Sequence, residues 1–183
     1  MREDLLIDHA SPVIAGIKPA NLFQIRSTDI GYVRSVLESW ESSLRKCPNC
    51  DLKFRLVAKR SKGFLVLAYR KKQLERIIKD ENIRPYINSL GYDSTSLLKC
   101  MTFLSSKLRV SDFPHEIGLF LGYPLDDVRG FIENKGQNFL LNGFWKVYSN
   151  KEEKEKIFIA YKNTKTYNKA LAKRGYGLAQ LVN

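Results

Sequence analysis

Apolar residues recur with two different periods in the first half of the chain. Between residues 29 and 45 they follow the three- and four-residue spacing of an amphipathic helix, with Asp29 as its cap. Residues 52–59 instead alternate between apolar and mostly basic side chains, which predicts a strand with one buried face. In this alternation Val57 belongs to the exposed face, with the basic residues. The run FLVLAY at 64–69 is continuously apolar, as in a central strand. A short turn separates the two segments, so we expect a β-hairpin over about 52–69.

Helical spacing dominates the second half of the chain. We expect helices over 71–79, after Asp93 or Ser94, after Asp112 and after Tyr123, and a long basic helix over 151–173. The aromatic segment 139–148 is predicted to be a strand. Segment 9–21 contains two prolines and a glycine, which interrupt both periodicities, so a structured loop is expected there. This order of elements predicts an α+β fold with a small, mostly antiparallel sheet around the central hairpin, packed by several helices.

Length and composition fit one globular domain over residues 1–183. Hydrophobic residues make up 44% of the chain, which is enough for a buried core. No apolar run approaches the roughly 20 residues that a membrane-spanning helix needs. The first four residues, MRED, include acids where a signal peptide has bases, and three cysteines are too few for a disulfide framework. We therefore expect a cytoplasmic protein with no membrane contact.

The excess of positive charge is concentrated in two blocks. The net charge is +12, and the basic residues cluster between 53 and 84 and between 146 and 174. Such blocks attract nucleic acids and acidic proteins. A solvated basic surface that keeps the protein soluble accounts for the same pattern. A nucleic-acid interface on the hairpin and the last long helix would use Lys53, Arg55, Lys59, Arg60, Lys62, Lys162, Lys165 and Lys169.

The motifs for metal binding and catalysis are incomplete. Cys47 and Cys50 have the spacing of a metal clamp or a redox pair, but no second pair follows them. His115 and Glu116 begin an HExxH-like sequence, but Leu119 stands where the second histidine belongs. We therefore predict no metal and no cofactor, while metal binding by the two cysteines stays open. The pair His115–Glu116 keeps acid–base catalysis as one alternative, although no nucleophile accompanies it.

Three segments form a pattern that extends over nearly the whole chain. They are HASPVIAGIKPANLF at 9–23, DFPHEIGLFLGYPLDDVRGFIENKG at 112–136 and NGFWKVYSN at 142–150. In sequence, order and spacing they resemble an uncharacterised bacterial domain family of unknown function. In that family a cysteine often follows the first histidine, whereas this chain has Ala10, which argues against a metal or thiol role for the loop. The resemblance places these residues in the family pattern: His9, Pro12, Gly16, Lys18, Asn21, His115, Glu116, Gly118, Tyr123, Asn134, Trp145 and Lys146.

The family-like segments lie mainly outside the two basic blocks. Their histidines, asparagines, glutamate and glycines suit a small pocket better than a nucleic-acid track. We therefore expect a binding or accessory protein with a polar pocket for an anionic small molecule or an acidic protein partner. The candidate ligand-binding residues are His9, Lys18, Asn21, His115, Glu116, Asn134 and Lys146.

Two other functions stay open. The first is nucleic-acid binding, or inhibition of a nucleic-acid-handling machine, through the basic blocks. The second is an enzyme that uses His115 and Glu116 as an acid–base pair. The pocket hypothesis requires the opening segment and the segments after residue 112 to meet around a shared hollow.

Overall fold

The computed structural model describes residues 2–47, 49–110 and 113–182. In chain order the elements are α1 (Arg2–Ile14), β1 (Ala20–Ile25), α2 (Ile30–Leu44), β2 (Leu52–Arg60), β3 (Gly63–Arg70), α3 (Lys71–Lys79), α4 (Ile83–Ser89), α5 (Leu97–Lys107), α6 (Ile117–Phe120), α7 (Leu125–Glu133), β4 (Leu141–Asn142), β5 (Lys146–Val147), α8 (Lys151–Lys173) and α9 (Leu178–Leu181). The α+β prediction is confirmed. Asp112, which was expected to begin a helix, lies outside the described residues.

An antiparallel sheet with the strand order β1-β3-β2 lies at the centre of the fold. The predicted hairpin is confirmed as β2 and β3, with Phe54 opposite Ala68. β3 lies between the other two strands, which explains its continuous apolar sequence, because both of its faces are covered. β1 pairs with β3 on the other side, with Leu22 opposite Leu67.

Helices cover both faces of this sheet, so the fold has three layers. On one face, Phe23, Phe54 and Val66 join a core that includes residues of α1, α2 and α9. On the opposite face, Leu67 joins a core with residues of α3 through α7. The face covered by α1 and α2 is called face 1 below, and the face covered by α3 to α7 is called face 2.

The predicted alternation of β2 is wrong at its centre. The register shifts between Leu56 and Ala58, where a bulge adds one residue to β2. Val57 was expected on the exposed side but is buried in the core of face 2, together with Ala58. A bulge depends on the pairing partner, so the periodicity of β2 alone does not reveal it.

The expected loop over 9–21 is wrong in its first half, because α1 continues to Ile14. The helix is kinked at Ala10, whose φ of −129° is not helical. Pro12 therefore lies in the first turn after the kink, where its missing N–H breaks no helical hydrogen bond. The helix ends against Arg70 of β3, whose guanidinium donates to the carbonyls of Val13 and Ile14.

Three further boundaries differ from the sequence predictions. Segment 139–148 forms only the two-residue strands β4 and β5, because its aromatic side chains pack against α8 and not into a longer sheet. α4 was not predicted, because Pro85 is typical of a helix break, although here it lies in the helix's first turn, where proline is tolerated. The cap of α5 is Ser96, which accepts from the Lys99 N–H, and not Asp93 or Ser94. Within the described ranges, every helix is too short or too polar to cross a membrane.

Candidate functional site

A cavity of about 400 Å³ lies between α6, α7 and the β4–β5 hairpin. Its walls are largely aromatic, and the lining also includes the imidazole of His115 and the ammonium of Lys146. We call this space the aromatic cavity. The aromatic rings that line it belong to Phe113, Tyr123, Phe131, Phe144 and Trp145.

Two glycines allow the elements around the cavity to pack closely. A Cβ on Gly118 of α6 would lie 2.8 Å from Cγ2 of Val128 and 2.9 Å from the Tyr123 ring. A Cβ on Gly130 of α7 would lie 2.5 Å from Cγ of Tyr148, which follows β5. All three distances are shorter than carbon–carbon contact allows, so the sequence provides glycine where α6, α7 and the hairpin meet.

Asp127 holds the hairpin against α7. Its side chain is 1% exposed and accepts hydrogen bonds from the Trp145 indole N–H at 2.7 Å, the Tyr148 N–H at 2.7 Å and the Ser149 N–H at 3.1 Å. These bonds place the Trp145 ring in the cavity wall, stacked on Tyr123 with a centroid separation of 4.7 Å. Sequence reasoning missed this role because the partners are 18 to 22 positions away.

His115 and Lys146 both lie near the ring of Phe131. The imidazole centroid is 4.9 Å from the Phe131 ring, and Nζ of Lys146 is 5.8 Å from the same ring. Nζ of Lys146 also donates to the Gly136 carbonyl at 2.6 Å, which fixes its position. In the described part of the chain Lys146 has no carboxylate partner, so its charge is available to an anion.

The opening segment places a buried amine behind this cavity. Lys18 is 2% exposed, and its ammonium donates to Oδ1 of Asn21, whose amide donates to the His9 carbonyl. Nζ of Lys18 lies 5.5 Å from the ring centroid of Tyr123, a cavity residue. Burial lowers the pKa of Lys18 to about 8.

The opening segment and the segment after residue 112 therefore meet, as the pocket hypothesis requires. The contact consists of Lys18 on Tyr123 and of Pro19 on Gly122. His9, however, stacks on Phe23 at 5.1 Å and lines a separate groove beside β1.

Glu116 and Asn134 point away from the aromatic cavity. Glu116 is buried and accepts from the Tyr92 hydroxyl at 3.0 Å and from Nζ of Lys107 at 2.5 Å. Burial raises the pKa of Glu116, but the Lys107 and Tyr92 hydrogen bonds outweigh that effect and hold the pKa below its ordinary value. Asn134 donates to the Gly130 carbonyl at the end of α7. Of the seven candidates, only His115 and Lys146 line this cavity.

The basic residues lie in different layers. Arg55 and Arg60 donate to Thr102 and to the Val110 carbonyl, on the face-2 side of the sheet. Lys165 and Lys169 of α8 instead pair with Asp8 of α1, in the layer of face 1. These four cations are therefore partly engaged within the fold.

The two cysteines that the sequence left open as a metal clamp lie after α2. Cys47 and Cys50 are half-buried in the turn between α2 and β2. Over the ranges that the structure describes, no group of three or more histidine, cysteine, aspartate or glutamate side chains is arranged to hold a metal ion.

Comparison with known families identifies the chain's relatives. Residues 6–182 match the profile of the protein of unknown function family DUF3793. The chain belongs to the DUF3793 family. No curated protein matches the chain. No solved structure matches it either. This match agrees with the expected resemblance to an uncharacterised family, and the DUF3793 region includes both the opening segment and the aromatic cavity.

Gly122→Ala is expected to lower the free energy of unfolding by about 2 kcal/mol. Gly122 has a φ of +83°, and a Cβ there would lie 2.5 Å from Cγ of Pro19. Gly175→Ala is the matched control, because Gly175 has a φ of +91° and nothing within 4 Å of its Cβ position. Urea unfolding of both variants measures the contact. Equal losses would show that Pro19 does not press on this turn.

Lys18 is expected to make stability rise with pH in the alkaline range. Its pKa is about 8 in the folded protein, against an ordinary lysine pKa of 10.5. Below pH 8 the folded state has to keep a buried charge, and that cost disappears as pH rises from 8 towards 10.5. The stability difference between wild type and Lys18→Met should therefore shift in favour of wild type by about 2 kcal/mol between about pH 7 and about pH 9.5.

The comparison with Lys18→Met separates Lys18 from other groups that titrate nearby. Burial raises the pKa of Cys100 to about 11 and that of Tyr123 and Tyr161 to about 12, which lowers stability at high pH in both proteins. Urea unfolding at several pH values gives the difference directly. A difference that stays constant across this range would show that Lys18 is not held as a buried amine.

Proposed function

We propose that this protein binds a small anionic ligand with a planar aromatic body in the aromatic cavity. The observation that carries the proposal is the combination in one cavity of aromatic walls, His115 and the ammonium of Lys146, which has no carboxylate partner among the described residues. The aromatic walls differ from the polar pocket expected from sequence, and they add a requirement for a flat apolar body. The proposal keeps the sequence-based expectation that the ligand is anionic.

Cavity size and wall chemistry support a ligand of one or two rings. A volume of about 400 Å³ is near the lower end of the range for small-molecule sites. Aromatic rings favour stacked or edge-on contacts with other rings. The rings of Trp145 and Tyr123 are held in place by packing, and Asp127 anchors the indole. A site with fixed walls loses little entropy when a rigid ligand binds.

Charge selects among such ligands. Nζ of Lys146 uses one donor on Gly136 and retains others for a carboxylate or phosphate. His115 is exposed at the same cavity and can donate a second hydrogen bond. Glu116, the neighbouring acid, is engaged with Lys107 and Tyr92, so it does not oppose an anion in the cavity. Asp127 also lines the cavity, but its carboxylate is engaged by the N–H groups of Trp145, Tyr148 and Ser149.

Calorimetric titration with matched ligand pairs tests the proposal. The probes are indole-3-acetate against indole-3-acetamide, and benzoate against benzamide, which differ in charge and hardly in shape. We expect each acid to bind at least about tenfold more tightly than its amide, since a hydrogen bond to a charged group contributes about 1.5 to 3 kcal/mol. Lys146→Met should remove this preference.

The two histidines provide the control. His115→Ala should weaken binding of the acids, whereas His9→Ala should leave it unchanged, because His9 lines a different groove. Binding of acids and amides with equal affinity, no binding of any probe at millimolar concentration, or equal losses in the two histidine variants would contradict the proposal.

A further inference from the structure

We propose that the outer edge of β1 binds an extended, acidic segment of a partner protein, which adds a strand to the sheet. This site is separate from the aromatic cavity: Leu22 borders both spaces, and the other residues along the groove do not line the cavity. The proposal rests on unpaired backbone groups, on a groove beside them and on the charge at one end of that groove.

The hydrogen-bond phase of β1 shows which residues face outward. The Arg70 N–H donates to the Pro19 carbonyl at 2.8 Å, and Ala20 lies opposite Tyr69. In an antiparallel pair this pattern makes Ala20 a non-bonded position, so Ala20, Leu22 and Gln24 direct their N–H and C=O groups away from β3. Within the described residues, no protein group bonds to the backbone of Leu22 or Gln24.

A groove follows this edge. It has a volume of about 880 Å³ and includes residues 22–26 along one side. The other side is formed by α1 and α2, through His9, Tyr32 and Val36 among others. An added strand lies about 4.8 Å from its neighbour and directs alternate side chains to each face. Alternate apolar side chains of the added segment would therefore pack against Phe23 and the helices of face 1.

The edge lacks the features that usually prevent strand addition. Exposed edges are commonly protected by lysines, prolines or bulges. β1 has the sequence ANLFQI, which contains no charge and no proline, and its pairing with β3 has no bulge. An extended backbone is the occupant that satisfies a row of outward N–H and C=O groups, as in other cases of strand addition.

Basic residues at one end of the groove determine which partner segment it would bind. Arg26 is exposed at the end of the groove, and the β2–β3 turn lies against it, because a Cβ on Gly63 would be 3.0 Å from Cα of Arg26. Lys62 is exposed in this turn, and Nζ of Lys59 lies 5.9 Å from the ring of Phe64, the residue opposite Ile25. Among the described residues, these three cations form no ion pair.

An acidic partner fits this end better than a second copy of the chain. Two copies would each bring a net charge of +12 to the contact. Aspartate or glutamate at the end of the added segment would instead compensate Arg26, Lys59 and Lys62. The expected segment therefore has alternating apolar residues followed or preceded by acids.

Peptide selection tests the proposal. A displayed library of random peptides about ten residues long is panned on the full chain. We expect the enriched peptides to alternate apolar residues and to have acids at one end. Bound peptide should slow amide exchange at Leu22 and Gln24, whose N–H groups point outward, and leave the amides of α5 unchanged. Gln24→Pro removes one outward N–H without breaking a bond to β3, and it should weaken binding at least about tenfold.

A charge-matched pair keeps the test independent of the proline variant. Arg26→Gln should weaken binding several-fold, and Arg34→Gln, an exposed arginine outside the groove, should not. Peptides without a period of two, a selection with no enrichment, or unchanged exchange at Leu22 and Gln24 would overturn the proposal. So would sedimentation equilibrium showing a wild-type dimer that Gln24→Pro converts to a monomer, because the edge would then pair with a second copy.

Discussion

Asp127→Ala is expected to lower the free energy of unfolding by about 3 to 5 kcal/mol, because it removes the acceptor of three N–H donors. The carboxylate is 1% exposed and accepts from the Trp145 indole and from the N–H groups of Tyr148 and Ser149. Alanine leaves these donors without their acceptor, and each unsatisfied buried donor costs about 1 to 3 kcal/mol. Urea unfolding followed by tryptophan fluorescence measures the loss.

The adjacent residue is the control for this prediction. Asp126 lies in the same first turn of α7 but is exposed, so Asp126→Ala should change stability by no more than about 1 kcal/mol, through the helix dipole. Asp127→Asn keeps the shape but offers one neutral oxygen, and it should fall between the two alanine variants. Similar losses for Asp126→Ala and Asp127→Ala would show that Asp127 does not hold the hairpin.

Arg70→Met is expected to cost a similar amount, about 3 to 5 kcal/mol. Arg70 is 3% exposed and donates to the Val13 carbonyl at 2.8 Å, to the Ile14 carbonyl and to Asp51 at 3.2 Å. It therefore satisfies the last carbonyls of α1 and joins that helix to the sheet and to the start of β2. Methionine keeps the volume of the stem but supplies no donor.

Lysine at this position separates charge from geometry. Arg70→Lys keeps the positive charge but cannot donate to three acceptors in different directions as the planar guanidinium does. We expect it to recover less than half of the stability lost in Arg70→Met. Arg76, exposed on α3, provides the control, and Arg76→Met should be close to neutral. Thermal and urea unfolding of wild type and the three variants measure these differences. Full recovery of stability by lysine would contradict a role for the guanidinium's three-way hydrogen bonding.

The sequence predicts the parts of this fold that depend on local periodicity. The β2–β3 hairpin and the long helix α8 follow from alternation and from helical spacing, and both are present. The bulge at Val57 depends on the pairing with β3, and the helical turn after Ala10 depends on where Pro12 lies relative to a kink. The bulge and the kink both depend on tertiary packing, so local sequence periodicity does not predict them.

The candidate site shows the same limit. His115 and Lys146 were identified from their residue types, and they line one cavity. His9 has the same chemistry but faces a separate groove, because β1 lies between the two spaces. Asp127 was missed because its hydrogen-bond donors come from a distant hairpin, and aspartates at a helix start are usually explained by the dipole alone. Residue type identifies chemistry, whereas long-range pairing decides which groups meet.

The two tryptophans allow the most direct measurement of the central claim, that the aromatic cavity is the binding site. Trp145 lines this cavity, and Trp40 lies in the core of face 1. In a ¹⁵N-labelled sample each gives one indole N–H signal, which mutation to phenylalanine assigns. Titration with indole-3-acetate should shift the Trp145 signal in a saturable way and leave the Trp40 signal in place. A ligand that binds while the Trp145 signal stays fixed would contradict the account.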